Sequence, residues 1–124
     1  MTKRVLSVGQ CGMDHAALRR LIEGRFDAVV VPADLPDEGL DALHGGGFDL
    51  VLVNRRFDAD GTDGLDFIRR LLADEAAANV PVMLVTNYPE VQQQAVAAGA
   101  RPGFGKSQLG DPETAARLAE ILQA

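Results

Sequence analysis

The stretch "FDLVLVNRRFDADGTDGLDFIRRL" (48–71) decides the fold. Residues 48–54 are apolar almost without alternation, as in a strand covered on both faces. A polar, glycine-containing loop follows. From Asp63 the apolar residues recur at helical spacing, and Leu65, Ile68, Leu71 and Leu72 share one face of a helix predicted over 63–78. Buried strand, loop and amphipathic helix in that order form half of a parallel βαβ unit.

The same alternation extends in both directions. "RVLSV" (4–8) reads as a buried strand, followed by a helix from His15 to Gly24 with Asp14 as N-cap and a stripe of Leu18, Leu21 and Ile22. "DAVVVPA" (27–33) is a second strand, and "DEGLDALHGGG" a short helix closed by glycines, with His44 near its C-terminal dipole. "VPVMLVTN" (80–87) is the fourth strand. Asn87 then opens a helix with Pro89 in its first turn and Glu90 close to a capping box. "GFG" around Phe104 is a short fifth strand, and Asp111–Pro112 opens a last helix striped by Ala115, Leu118, Ile121 and Leu122.

Five buried strands alternating with five helices predict a flavodoxin-like, doubly wound α/β domain over 1–124, with a parallel sheet in the order 2-1-3-4-5. Function in such sheets gathers at the carboxyl ends of the strands. That rule selects Gly9, Gln10, Cys11, Asn54, Thr86 and Lys106.

The bulk composition narrows the function classes. A hydrophobic content of 47% is ample for one core, and a net charge of −6 argues against nucleic acid or an anionic membrane as partner. A single cysteine excludes an internal disulfide, and the first apolar run is too short for a signal peptide or a spanning helix. The expected location is the cytoplasm. "DADGTDG" (58–64) has the wrong register for a calcium loop. "GFGKS" lacks the first glycine and the context of a P-loop.

The selected positions carry a known pattern. "VLSVGQCGMDHAALRRLIE", "FDLVLVN…DGLDFIRRL", "VPVMLVTN", "AVAAGA" and "GFGKS" together resemble the receiver domain of bacterial two-component response regulators over nearly the full chain. The resemblance implies an acid pair for magnesium at Gly9 and Gln10, and a phosphoacceptor aspartate at Asn54. It also implies a hydroxyl at Thr86 and a lysine at Lys106. The last two are kept and all three carboxylates are lost. Magnesium is a hard ion that seeks carboxylate oxygens, and an amide is a poor nucleophile. Loss of Mg²⁺ binding and of phosphoryl transfer is expected, and no enzymatic activity.

Two further departures fall in the switch region. The family's switch aromatic aligns with Gly103, with Phe104 adjacent, and the proline after the lysine is Ser107, so no cis peptide is expected there. The loop after Asn54 is longer than the family's usual spacing and supplies Asp58 and Asp60. One of these is expected to fold over the cleft and pair with Lys106, because a partly buried ammonium without a partner is costly.

The leading reading is therefore a phosphorylation-independent protein-interaction module. Its partner face would be the fourth helix, fifth strand and fifth helix (parts of 89–98, 103–107 and 111–122), with a possible homodimer. Two alternatives stand beside it: a phosphorelay receiver using Asp58 or Asp60 as acceptor, and a small-molecule or redox site built from Cys11, Thr86 and Lys106.

Overall fold

Strands β1 (Lys3–Val8), β2 (Ala28–Ala33), β3 (Leu50–Asn54), β4 (Val82–Val85) and β5 (Arg101–Phe104) alternate along the chain with helices α1 (Gly12–Glu23), α2 (Pro36–His44), α3 (Gly64–Ala73), α4 (Pro89–Ala98) and α5 (Pro112–Leu122). This is a computed structural model that describes residues 1–123. All strand pairs are parallel and the order is β2-β1-β3-β4-β5, as the sequence pattern predicts.

The two-residue period of the strands divides the core into two layers. On one face Leu6, Val8, Val51, Val53, Val82 and Leu84 meet Leu40 and Leu43 of α2, Leu65, Phe67, Ile68 and Leu71 of α3, and Ala95 of α4. On the other, Val5, Leu50, Leu52, Met83, Val85 and Phe104 meet Leu18 and Ile22 of α1 and Leu118 and Leu122 of α5. Both faces of β3 are buried, which is why its sequence does not alternate.

Local chemistry moves several boundaries from their sequence-based positions. Helix α1 begins at Gly12, not His15: Cys11 is the N-cap and its Sγ accepts the Asp14 N–H at 3.5 Å. Asp14, read as the cap, lies inside the first turn and is free to act elsewhere. Helix α3 stops at Ala73 because Asp74 accepts the Ala76 N–H at 2.9 Å and turns the chain. The other oxygen of Asp74 meets His44 Nε2 at 2.8 Å, so His44 makes a hydrogen bond from α2 to the end of α3 as well as lying near the helix dipole. Asn87 caps nothing, and Tyr88 is the N-cap of α4.

On both edge strands, outward backbone groups are satisfied locally. On β2 the outward Ala28 N–H is taken by Phe26 O at 2.9 Å, the outward Val30 N–H by Glu23 Oε2 at 2.9 Å, and Pro32 has no N–H. On β5 the register shifts against β4 between Met83 and Val85. Gln92 of α4 fills the gap, donating to Leu84 O at 2.6 Å and accepting the Gly103 N–H at 3.1 Å. Arg117 of α5 donates to Gly103 O. Edges capped in this way resist pairing with another chain.

Replacing Gln92 by alanine leaves a buried carbonyl and an edge N–H unpaired. Urea unfolding of Gln92→Ala is expected to show a stability loss of about 1–3 kcal/mol with an unchanged slope. Gln93→Ala, exposed on the same helix, is expected to stay within about 0.5 kcal/mol of the parent.

Candidate functional site

The chain leaves β1 at Gly9 with φ +79, a conformation glycine adopts without strain. A Cβ there would lie 2.4 Å from Phe57 Cδ1, so the phenyl ring occupies the space a side chain at this position would need. Phe57 is 1% exposed and packs edge-on against Phe67 of α3, with ring centroids 5.2 Å apart. The loop that carries it is tied back on itself by Phe57 N–H to Thr62 O (2.8 Å), Gly61 N–H to Phe57 O (2.8 Å) and Gly64 N–H to Arg55 O (2.7 Å).

Asn54, at the end of β3, holds this loop to β1. Its Nδ2 donates to Gly9 O at 3.1 Å and to Arg56 O at 2.7 Å, and Gly9 O also accepts the Asp58 N–H at 2.9 Å. Both acceptors are carbonyls, so the amide has one possible orientation. The residue is 8% exposed. An aspartate here would turn a carboxylate against two carbonyl oxygens. Asn54 thus acts as a hydrogen-bonding strut between two loops.

The carboxyl ends of β3, β4 and β5 surround a pocket of about 150 Å³ walled by Asn54, Arg55, Thr86, Asn87, Tyr88 and Lys106. Thr86 is buried and its Oγ1 accepts the Tyr88 N–H at 3.2 Å. The Arg55 guanidinium lies 5.1 Å above the Tyr88 ring, a cation–π contact. Asn87 Oδ1 accepts both the N–H and the hydroxyl of Ser107, at 3.1 and 3.0 Å. A proline at 107 would have no N–H to give, and among the described residues there is no cis peptide. Gly9 and Gln10 do not line the pocket; Gln10 is buried, and its amide makes no hydrogen bond among the described residues.

The expected pairing of Lys106 with Asp58 or Asp60 is not formed. Both acids are exposed, and Asp60 Oδ1 accepts the Thr62 N–H at 2.9 Å in its own turn. Lys106 Nζ instead meets Asp14 Oδ2 of α1 at 2.5 Å, with both side chains partly buried. The loop is tied elsewhere: the Asp58 N–H goes to Gly9 O at 2.9 Å, and Phe57 and Thr62 close the turn that holds Asp60. The lysine hydrogen bond holds the Asp14 carboxyl below its ordinary range, against partial burial, and the Cys11 thiol adds to the effect.

The switch positions are also rebuilt. Phe104 is 1% exposed in the layer shared with α1 and α5, so it does not stand in at the surface for an aromatic at Gly103. A Cβ at Gly103 would meet Leu84 O at 2.2 Å, with the Gln92 amide close behind. Gln92 and Arg117 therefore bridge α4 and α5 across a residue that has no side chain to rotate.

Sequence reading missed the roles of Asp14, Gln92 and Phe57. Lys106 is 92 residues from Asp14, and no spacing rule links them. Phe57 left one signal, an aromatic residue inside an otherwise polar loop. Among the described residues no group of three or more His, Cys, Asp or Glu side chains is placed to share a metal ion. Nor, among the described residues, is any helix long and apolar enough to cross a membrane.

No family model matches the chain. It is 28% identical over 113 residues to the chemotaxis protein CheY-3 of Vibrio cholerae, covering 88% of this chain and 83% of that one. Among solved structures it superposes on the signal receiver domain of a DNA-binding response regulator from Colwellia psychrerythraea with a TM-score of 0.81 and 23% identity, over 98% of this chain and 99% of the other. The receiver domain of a sensor histidine kinase from Pseudomonas aeruginosa, solved with a magnesium ion coordinated in its active-site cleft, matches with a TM-score of 0.72 and 19% identity, over 99% and 96% of the two chains. The fold is that of response-regulator receiver domains.

Two pH profiles test the site. Asn54→Asp places its carboxyl against Gly9 O and Arg56 O, which favours the protonated form and raises the folded-state pKa. The variant's deficit is therefore small below the unfolded value of about 3.9 and grows as pH rises through it. It is expected to reach about 1–3 kcal/mol near neutral pH by urea unfolding. Asp14 shifts the other way: its depressed pKa contributes stability above about pH 3.9 that is lost as pH falls through the folded value. Asp14→Asn is expected to be less stable than the parent near neutrality, with the gap closing in acid.

Proposed function

We propose that this chain is a signalling module with the receiver fold that works without phosphorylation. The observation that carries the reading is the Asn54 amide, which spends both protons on Gly9 O and Arg56 O while Phe57 takes the space beside Gly9. A cleft organised around an amide and a phenyl ring has no acceptor for a phosphoryl group. Glycine at position 9 and an inward-turned amide at 54 are also a poor donor set for magnesium, which takes carboxylate oxygens in a near-octahedral shell. The cleft residues do not fit that ion.

The alternatives find less support. Asp58 and Asp60 are exposed, and neither has Lys106 or another cation as partner, so a phosphoryl group there would lack charge stabilisation. Cys11 Sγ is engaged as the cap of α1, and the carboxylate it contacts, Asp14, is already paired with Lys106, so the thiol and its neighbour are occupied in holding structure.

Protein partners are the natural ligands of such a module. With both sheet edges closed, the partner surface falls on the helices, and the face of α4, β5 and α5 offers a groove of about 430 Å³ beside Val96, which is 42% exposed. Homodimerisation through that face is one form of the same reading. The cytoplasm, where signalling proteins meet, is the compartment proposed.

Incubation with acetyl phosphate and Mg²⁺, followed by intact mass measurement, tests the central claim. The mass of the parent protein is expected to stay unchanged. A stable gain of one phosphoryl group would overturn the reading, and its position on Asp58 or Asp60 would establish the alternative.

A further inference from the structure

We propose that two copies of this chain associate reversibly across the β2 edge, α1 of each copy lying along α2 of the other about a two-fold axis parallel to the strands. The inference goes beyond the phosphorylation-independent reading. It uses a surface separate from the cleft and from the face of α4, β5 and α5.

The edge itself sets the terms. Strand β2 is at the margin of the sheet, with α1 packed on one face and α2 on the other. Its outward N–H groups at Ala28 and Val30 are taken by Phe26 O and Glu23 Oε2, and Pro32 has none. A neighbouring chain finds no free donor at those positions with which to extend the sheet, so contact falls to the flanking helices. Apolar side chains lie open along this margin: Val29 is 41% exposed, Leu35 40% and Met13 83%.

The two helices present matched columns. On α1, Met13, Ala16 and Arg20 are exposed at i, i+3 and i+7, one outward row. On α2, Asp37 and His44 reach across to Arg70 and Asp74 of α3, which turns that side of the helix toward α3. Leu35, Glu38 and Ala42 have the same i, i+3, i+7 spacing and lie on the other side, toward the β2 edge. The Arg20 side chain makes no hydrogen bond or ion pair among the described residues. Glu38 Oε1 accepts the Leu35 N–H at 2.9 Å, and its second oxygen is uncommitted.

Both helices start at the carboxyl ends of their strands and run the same way down the sheet. A two-fold axis along the strands keeps the two columns level. It sets Met13, the apolar head of one column, beside Leu35, the apolar head of the other. Arg20 lies two turns lower, and its long side chain leans back toward the N-terminus, which brings it to Glu38 of the second copy. A two-fold axis perpendicular to the sheet would instead oppose α1 to α1 and α2 to α2. Arg20 and Glu38 would each meet their own kind, and like charges across an interface repel. Charge thus selects one operator from two, and every contact occurs twice, the self-complementarity of an isologous dimer.

Sedimentation velocity of the full chain near neutral pH, from about 1 µM to about 1 mM, is expected to show a monomer–dimer equilibrium with Kd on the order of 10–100 µM. Arg20→Glu, Glu38→Lys and Met13→Asp are each expected to weaken it by about tenfold or more, since each contact is lost twice. An equal mixture of Arg20→Glu and Glu38→Lys is expected to restore a heterodimer of near-parental affinity. Glu38→Gln keeps an acceptor for the Leu35 N–H and removes only the charge, so its weakening decides the point if the lysine variant does not fold. Arg69→Glu, exposed on α3, is expected to leave the dimer unchanged. A parent that stays monomeric to about 1 mM overturns the proposal, as does a mixture of two folded variants that fails to associate. A dimer that survives Arg20→Glu and dissolves with Val96→Asp overturns it in favour of the face of α4, β5 and α5. None of these outcomes bears on the phosphorylation-independent reading, which the acetyl phosphate experiment decides separately.

Discussion

The Gly9 carbonyl is the point on which the cleft depends. It accepts from Asn54 Nδ2 and from the Asp58 N–H, and so joins the end of β1 to the end of β3 and to the loop beyond it. A carbonyl inside the protein must find donors, and the two N–H groups of the Asn54 amide serve this one and Arg56 O together. Once that is so, Phe57 is delivered against Gly9 and the loop closes over an apolar ring. The asparagine at position 54 is therefore part of a consistent local structure. It reads as a strut with its own packing, rather than as a vacancy left in a reactive site.

Electrostatics follow the same logic. A lysine at the end of β5 with no acid at positions 9, 10 or 54 would be an isolated cation in a partly buried setting. Helix α1 resolves this by starting three residues earlier than its sequence suggests, with Cys11 as cap, which brings Asp14 onto the first turn facing Lys106. The negative charge that meets Lys106 comes from α1, outside the lining of the pocket. What remains inside the pocket is rich in donors, the reverse of what a divalent cation requires.

At the other end of β5, Gly103 replaces bulk with contact. The Gln92 amide stands where a side chain at 103 would project, and it completes the hydrogen bonding that the register shift between β4 and β5 interrupts. Arg117 adds a second tie from α5. Helices α4 and α5 are thereby fastened to the same backbone residue. Two helices and the edge strand are thus joined through one residue.

Much of this was legible in the chain. The apolar, non-alternating runs at 4–8, 48–54 and 80–87 could only be strands covered on both sides, and the helical stripes between them could only supply that cover. The parallel order of five strands followed, and so did the cluster of Asn54, Thr86 and Lys106 at one end of the sheet. These features depend on short periods and on strand direction, which neighbouring residues encode. The partner of Lys106, the seat of Phe57 and the task of Gln92 were not legible. Each joins groups far apart in sequence, and its outcome turns on a few ångströms of loop path and on where a helix begins. The chain determined by itself which residues would gather. Only the packed structure decided which of them touch, because hydrogen bonds and ion pairs are settled by distance and direction after the core has fixed the backbone.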